Sequence, residues 1–128
     1  MNYLITGAGS GIGRAITVLL ATNGHSCFLL GRNENNLKET LALLPDNRHQ
    51  IFLADIKDET AIKNLLKDND DLVLDGIIAN AGIGGENNFG KNDRWNDIID
   101  TNLTGTYLTV QYFLPALKRS KNNYKQNF

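Results

Sequence analysis

The sequence contains a single cysteine, Cys27, so no disulfide can form within the chain. Cys27 stands in the apolar run 27–30, which predicts a buried, unreactive thiol and a reducing compartment. Histidine is almost as scarce, and neither His25 nor His49 belongs to a ligand pattern typical of a metal centre. We therefore expect no metal site.

An excess of charge of either sign is also absent, because 13 basic and 14 acidic residues leave a net charge of -1. Without a basic excess, the sequence has no electrostatic footprint for nucleic acid or for an anionic membrane surface. It also has no apolar run long enough to span a bilayer and no secretory signal pattern at its start. We expect a soluble, cytoplasmic protein with no nucleic-acid partner and no membrane partner, and the charge balance does not identify what it binds.

The first feature that is present is a glycine-rich segment between an apolar run, 3–5, and a helical pattern that begins near residue 12. Such a segment is typical of a strand that turns into a helix, where the first amides of the helix have no intrahelical acceptor. A pyrophosphate could accept from those amides, and glycines would let it approach the backbone closely. The sequence therefore predicts a dinucleotide site with GxxxGxG spacing at Thr6-Gly7-Ala8-Gly9-Ser10-Gly11-Ile12-Gly13.

Strands and helices are predicted to alternate along the rest of the chain. Strands are expected near residues 2–5, 26–30, 50–54 and 72–79; helices are expected at 11–22, from Asn33 to about 44, from Asp58 or Thr60 to about 68, and at 93–118, with Pro115 bending the last one. In the first helix, the apolar residues Ile12, Ile16, Leu19 and Leu20 recur at helical spacing. This alternation predicts an α/β fold, a doubly wound parallel sheet with helices on both faces. One domain would cover residues 1–119, and 120–128 would form a polar tail or the start of a next strand.

Four predicted turns follow strand ends on the same side of this sheet. In a doubly wound sheet the ligand lies beyond the carboxyl ends of the strands, where the strand order reverses. The turns contain the glycine-rich segment, Gly31-Arg32, Asp55 and the segment 80–82. We therefore expect all four to line one crevice.

Taken together, these motifs resemble the short-chain dehydrogenase/reductase family. The family's TGxxxGIG motif matches Thr6, Gly7, Gly11, Ile12 and Gly13, and its NAG motif matches Asn80, Ala81 and Gly82. Asp55 stands where the family has an acidic residue that contacts the adenine ring. Asn102 stands where the family has an asparagine within the long helix. The resemblance extends to about residue 119 and implies a Rossmann-type fold, truncated after the long fourth helix.

The resemblance also implies roles for individual residues. Asn102 would bend its helix locally and hold a water in the family's proton relay, which makes it the one catalytic candidate. From the residues alone, Asp55 could equally be a solvated carboxylate or a helix cap, and Asn80 a turn former. The predicted cofactor-binding residues are Thr6, Gly7, Gly9, Ser10, Gly11, Ile12, Gly13, Arg32, Asp55, Ile56, Asn80, Ala81 and Gly82.

The residues after the second predicted strand bear on the choice of cofactor. A preference for NAD would need a carboxylate near Gly31, where it would accept hydrogen bonds from the ribose hydroxyls. Arg32 instead offers a guanidinium that can hold the 2'-phosphate of NADP. We therefore predict NADP(H), with NAD(H) as the less favoured alternative. Arg14 could assist Arg32 or could be an ordinary solvated helix residue.

The catalytic Tyr–Lys pair of the family has no counterpart in this sequence. Four residues after the tyrosines at 3, 107, 112 and 124 stand Gly7, Gln111, Ala116 and Phe128. The family's catalytic Ser lies on the strand after the long helix, where this sequence ends. The resemblance therefore implies the cofactor-binding half of an NADP(H)-dependent oxidoreductase for a carbonyl or hydroxyl substrate, inactive by itself.

The alternative is a non-catalytic dinucleotide-binding or dimerisation module. The resemblance implies that the strand at 72–79 is interior in the family's strand order, so without the family's next strand it would have an open apolar edge. The long last helix would also leave part of its apolar face uncovered. We therefore expect a homo-oligomer, formed across that edge or through the face from Trp95 to Phe113.

Overall fold

A computed structural model describes residues 1–82 and 94–122, and within them strands and helices alternate as predicted. Predictions for residues 83–93 and 123–128, which include the start of the last helix at Asp93, lie outside the described residues. The elements are β1 (Asn2–Thr6), α1 (Gly11–Thr22), β2 (Ser26–Gly31), α2 (Glu34–Ala42), β3 (Gln50–Leu53), α3 (Glu59–Asp68), β4 (Gly76–Ile78), α4 (Trp95–Ile99), a π-helical turn (Asp100–Thr104) and α5 (Gly105–Lys118).

The four strands form a parallel sheet in the order β3-β2-β1-β4. Leu4 and Ile5, neighbours on β1, are both fully buried but belong to different hydrophobic clusters. Since successive strand residues point to opposite faces, the sheet is covered on both sides. The predicted α/β class with a doubly wound parallel sheet is confirmed.

The first helix has the predicted limits, but its most buried residues are not the apolar residues that recur at helical spacing. Ile12 and Leu19, two of the residues at helical spacing, are 70% and 63% exposed, whereas the buried residues are Gly13, Thr17 and Ala21. The reason is that α1 packs through small side chains: Gly13 closely approaches the carbonyl of Gly7, and Ala21 packs with Ile5 and Cys27 of the sheet. The larger Ile12 and Leu19 therefore remain outside, although they fit the helical spacing.

The fourth strand is shorter than predicted, since only Gly76–Ile78 of the segment 72–79 pairs with β1. The amide of Leu74 donates to the carbonyl of Ala116 on α5, at 3.0 Å, instead of to a strand. The Leu74 side chain is fully buried in the cluster that contains Phe113. The apolar pattern before β4 therefore reflects packing against a helix.

Two of the predicted helix starts are capped by side chains. Asn33 Oδ1 accepts from the amide of Asn36 at 3.0 Å, and Asp58 Oδ1 accepts from the amide of Ala61 at 3.1 Å. Asp58, not Thr60, is therefore the cap of α3. Pro115 lies inside α5, which continues to Lys118.

The thiol of Cys27 is buried as predicted, and burial together with the nearby Asp46 carboxylate raises its pKa to about 11. His49 has a fully buried side chain; its Nδ1 accepts from the amide of Cys27 at 3.1 Å, and its Nε2 lies 2.9 Å from Asp46 Oδ1. These contacts join the starts of β2 and β3 and give His49 a structural role. Within residues 1–82 and 94–122 no helix has the length and apolar character needed to cross a membrane, and no cluster of metal-binding side chains occurs.

Candidate functional site

The loop between β1 and α1 folds tightly over the carboxyl end of the sheet. Gly7 has a φ of +68°, a backbone conformation that favours glycine, and its amide donates to the carbonyl of Leu30 at 3.0 Å. At the other end of the loop, a Cβ on Gly13 would lie 2.1 Å from the carbonyl oxygen of Gly7. The start of α1 is therefore pressed directly against the start of the loop.

The amino terminus of α1 is left without a side-chain cap. Ser10 occupies the N-cap position in an extended conformation, but its side chain makes no capping hydrogen bond. The first turn of α1 contains no acidic residue, whereas α2 and α3 carry Glu34 and Glu59 there. Because the first amides of a helix need acceptors from outside it, this terminus suits an anion.

The ends of β1 and β4 are tied together by one buried hydroxyl. Thr6 Oγ1 accepts from the amides of Asn80 and Ala81, at 3.0 and 2.9 Å. Thr6 is only 1% exposed, so it supports the site from below the surface. A Cβ on Gly82 would lie 3.0 Å from Asn102 Oδ1, which places this segment against the long helix.

The turns after the four strands meet at one cavity of about 180 Å³. Its walls come from the β1–α1 loop, the β2–α2 junction, the residues after β3, the segment after β4 and the π-helical turn. The convergence expected from the sequence is therefore present in the described structure. Of the predicted site residues, the lining includes Gly7, Gly9, Ser10, Arg32, Asp55, Ile56, Ala81 and Gly82.

The other predicted site residues do not line this cavity. Thr6, Gly13 and Asn80 lie behind it and fix the positions of the two loops. Gly11 and Ile12 are exposed at the start of α1. Asn102 lies in the π-helical turn, so the helix departs from α geometry where the resemblance implies a bend.

The two charged groups of the lining differ in their surroundings. Arg32 is exposed, and among the described residues its guanidinium takes part in no hydrogen bond or ion pair. Asp55 is half-buried, and its Oδ1 accepts from the amide of Lys57 at 3.1 Å, so it also shapes the turn after β3. An anionic ligand that reaches the β2–α2 junction would therefore meet an available cation at Arg32.

Known proteins show the same sequence pattern and the same fold. The family model for short chain dehydrogenases matches residues 2–123. The chain belongs to the short chain dehydrogenase family. An uncharacterized oxidoreductase of Staphylococcus aureus strain MW2 is 31% identical over 128 residues, covering 97% of this chain and 55% of the relative. The chain thus spans about half the length of the curated relatives it matches.

Solved structures of short chain dehydrogenases superpose well on this chain. One from Escherichia coli CFT073, complexed with NADPH, has a TM-score of 0.82 at 29% identity and covers 94% of this chain and 54% of its own. Another, from Mycobacterium paratuberculosis and bound to NAD, has a TM-score of 0.78 at 27% identity. The match covers 90% of this chain and 49% of the other. The Rossmann-type fold and the family, both predicted from the sequence, are confirmed.

Sequence reasoning missed several residues of the lining in this family member. Asn33, predicted only as the cap of α2, lines the cavity together with Asn36 of the first turn of that helix, for which the sequence predicts no role. Thr101 comes from the π-helical turn, one position before Asn102. Thr101 is a polar residue that is only 6% exposed, and among the described residues its hydroxyl has no hydrogen-bond partner.

We expect Thr101→Val to stabilise the free chain. A buried hydroxyl without a partner costs about 1–3 kcal/mol, and valine keeps the shape of the side chain. The midpoint of thermal unfolding should rise by a few degrees, since 1 kcal/mol moves the midpoint of a small domain by roughly 2–8 °C. The matched control is Thr109→Val, because Thr109 is also buried but donates to the carbonyl of Gly105 at 2.7 Å. A midpoint that falls equally in both variants would contradict the expectation.

Proposed function

We propose that this chain is the cofactor-binding part of an NADP(H)-dependent oxidoreductase that acts on a carbonyl or hydroxyl group of a small molecule. The observation that carries the proposal is one cavity that joins an uncapped helix terminus to the unpaired guanidinium of Arg32. NADP carries a pyrophosphate and, separated from it, a 2'-phosphate, and these two anionic groups would need such features at two separated points.

The lining residues suggest how the dinucleotide would lie. The amides from Gly9 to Gly13 would hold the pyrophosphate, and Arg32 would hold the 2'-phosphate. Asp55 and Ile56 would flank the adenine, and the segment Asn80 to Gly82 would lie beside the nicotinamide, which supplies or accepts the hydride when bound. No metal is needed for this chemistry, and none is part of the proposal.

The preference for NADP over NAD rests on the β2–α2 junction. Among the similar solved structures one holds NADPH and another holds NAD, so membership of the family does not determine which of the two cofactors binds. Gly31, at the end of β2, has no carboxylate to accept from ribose hydroxyls, and the nearest acid, Glu34, pairs with Lys38 at 3.2 Å. Arg32 is then the group that distinguishes the two cofactors.

Turnover is not expected of residues 1–128 alone, since their sequence contains no Tyr followed four positions later by Lys. Asn102, whose side chain lies against Gly82, is the residue of this chain that we propose to take part in proton transfer. We also propose a cytoplasmic location and one domain over residues 1–119, followed by a polar tail or the start of a next strand.

Self-association is a further part of the proposal. The long helix exposes large apolar side chains on one face, with Trp95 61% and Leu103 65% exposed, and β4 is an edge strand of the described sheet. Contiguous apolar surface of this kind marks an interface. Light scattering after size exclusion should give a mass above 14.2 kDa for the chain, and a clean monomer at high concentration would contradict it. The face is formed by Trp95, Leu103, Tyr107, Val110 and Leu114, whereas Phe113, the predicted end of this face, is fully buried.

The test of the proposal is a calorimetric titration of the chain with NADPH and, separately, with NADH at matched salt. We expect both to bind and NADPH to bind more tightly. Binding of neither dinucleotide would contradict a cofactor-binding role for this chain. Equal affinity for the two would contradict the assignment of the 2'-phosphate to Arg32 while leaving the dinucleotide site standing.

A further inference from the structure

Arg14 does not behave as either sequence interpretation expected. Its guanidinium is partly exposed, but it does not line the cavity and instead bridges the β1–α1 loop and α2. Nη2 donates to the carbonyl of Gly9 at 2.6 Å and lies 3.3 Å from the carbonyl of Asn36, and Nε donates to Thr40 Oγ1 at 2.9 Å. Arg14 is therefore not available as a second ligand for a 2'-phosphate.

Thr40 completes this bridge from the α2 side. Its side chain is fully buried, and its hydroxyl accepts from Arg14 Nε while donating to the carbonyl of Ala8 at 2.8 Å. The loop also packs directly on α2, because a Cβ on Gly9 would lie 3.0 Å from the Cβ of Asn36. We call the pair of side chains, with their bonds to the carbonyls of Ala8 and Gly9, the Arg14–Thr40 clasp.

The clasp fixes the direction of two peptide groups. The peptide bonds are trans, so the carbonyl of one residue and the amide of the next point in opposite directions. Because Thr40 holds the carbonyl of Ala8 and Arg14 holds the carbonyl of Gly9, the amides of Gly9 and Ser10 point away from these donors. Within the described part of the chain neither amide has an acceptor, and both residues line the cavity.

We infer that Arg14 and Thr40 are positioning residues that aim the amides of Gly9 and Ser10 at the pyrophosphate of the dinucleotide. This inference rests on the proposed function. It explains the orientation of the loop by two side chains that lie outside the glycine motif. A second sign of a ligand at this cavity is the partnerless buried hydroxyl of Thr101 in its wall. The clasp acts before any ligand arrives, so the ligand need not reorient the peptide groups itself.

Paired substitutions at Thr40 separate positioning from packing. Thr40→Val keeps the volume of the side chain but removes the hydroxyl that holds Ala8 and Arg14. Thr40→Ser keeps the hydroxyl but loses a buried methyl group, which lowers stability without opening the clasp. We expect the affinity for NADH to fall about tenfold or more in Thr40→Val and by less than about threefold in Thr40→Ser, because charge-assisted bonds to phosphate are lost only in the first.

Substitutions at Arg14 separate positioning from charge. Arg14→Lys retains the positive charge but cannot make the same set of bonds to Gly9 and Thr40, so the affinity should fall as in Thr40→Val. The matched control is Glu39→Gln, which removes only the exposed ion pair between Glu39 and Arg14, 3.2 Å apart. The affinity of the Glu39→Gln chain for NADH should stay within about twofold of that of the unsubstituted chain.

The decisive readout is the set of backbone amide signals of the ¹⁵N-labelled chain during a titration with inorganic pyrophosphate. We expect the Gly9 and Ser10 signals to shift in the unsubstituted chain, in Thr40→Ser and in Glu39→Gln, and to shift much less in Thr40→Val and Arg14→Lys. Equal shifts and equal NADH affinities in all variants would overturn the inference, as would unshifted Gly9 and Ser10 signals in the unsubstituted chain. If pyrophosphate gives the expected pattern while NADPH and NADH do not bind, the proposed function fails, and Arg14 and Thr40 still position the two amides for a pyrophosphate group that belongs to another ligand.

Discussion

Arg32→Ala is expected to weaken the binding of NADPH about ten- to a hundredfold and to change the binding of NADH by less than about twofold. The guanidinium is exposed at the rim of the cavity and has no partner among the described residues, so no internal bond competes with a phosphate. Charge-assisted hydrogen bonds to a dianionic phosphate contribute roughly 1.5–3 kcal/mol, which gives the expected range. Calorimetric titration of both cofactors measures the two affinities directly.

Lys38→Ala is the matched control for this substitution. Lys38 is exposed on α2, pairs with Glu34 and does not line the cavity, so its removal changes the net charge equally without touching the site. We expect it to leave the ratio of the two affinities unchanged. The ratio of the affinity for NADPH to the affinity for NADH should also fall as the salt concentration rises, because salt screens a charge pair at the protein surface. An Arg32→Ala chain that still prefers NADPH would show that another group reads the 2'-phosphate.

Gly13→Ala is expected to cost about 3 kcal/mol of folding free energy, the upper end for an overpacked site, and to weaken dinucleotide binding at least about tenfold. The added Cβ would lie 2.1 Å from the carbonyl oxygen of Gly7 and 2.7 Å from Asn80 Nδ2. Both neighbours belong to the loops of the site, and one is backbone that has no freedom to rotate away. The start of α1 must move, and with it the amides proposed to hold the pyrophosphate.

Gly11→Ala provides the contrast for Gly13→Ala. Gly11 has a φ of +53°, which costs a residue with a side chain about 1–2 kcal/mol, but nothing lies within 4 Å of an added Cβ. Chemical denaturation should therefore show a smaller loss of stability than Gly13→Ala. Similar losses in the two variants would mean that the loop and α1 relax around the added Cβ, so that the contact with Gly7 does not make glycine necessary at 13.

The order of elements could be predicted because it depends on local signals. The caps Asn33 and Asp58 and the glycine-rich turn act over a few residues, and the structure shows each helix and strand near its expected place. Burial depends on what lies across the fold. Ile12 and Leu19 fit the helical period, yet α1 approaches the sheet through Gly13, Thr17 and Ala21, so larger residues remain outside.

The candidate site divides in the same way. Its glycine loop, Arg32 and Asp55 follow strand ends, which the alternation of strands and helices identifies in the sequence. Thr101 and Asn36 enter the cavity through helix geometry and loop packing that no short pattern records. The role of Arg14 likewise depends on Thr40, 26 positions away in the sequence and brought near by the packing of α2 against the loop.

The most direct test of the central proposal is a crystal structure of the chain grown with NADPH. We expect the pyrophosphate within hydrogen-bond distance of the amides of Gly9 and Ser10, and the 2'-phosphate against the guanidinium of Arg32. NADPH bound elsewhere on the chain, such as the groove between α3 and α5, would contradict the assignment of this cavity as the dinucleotide site.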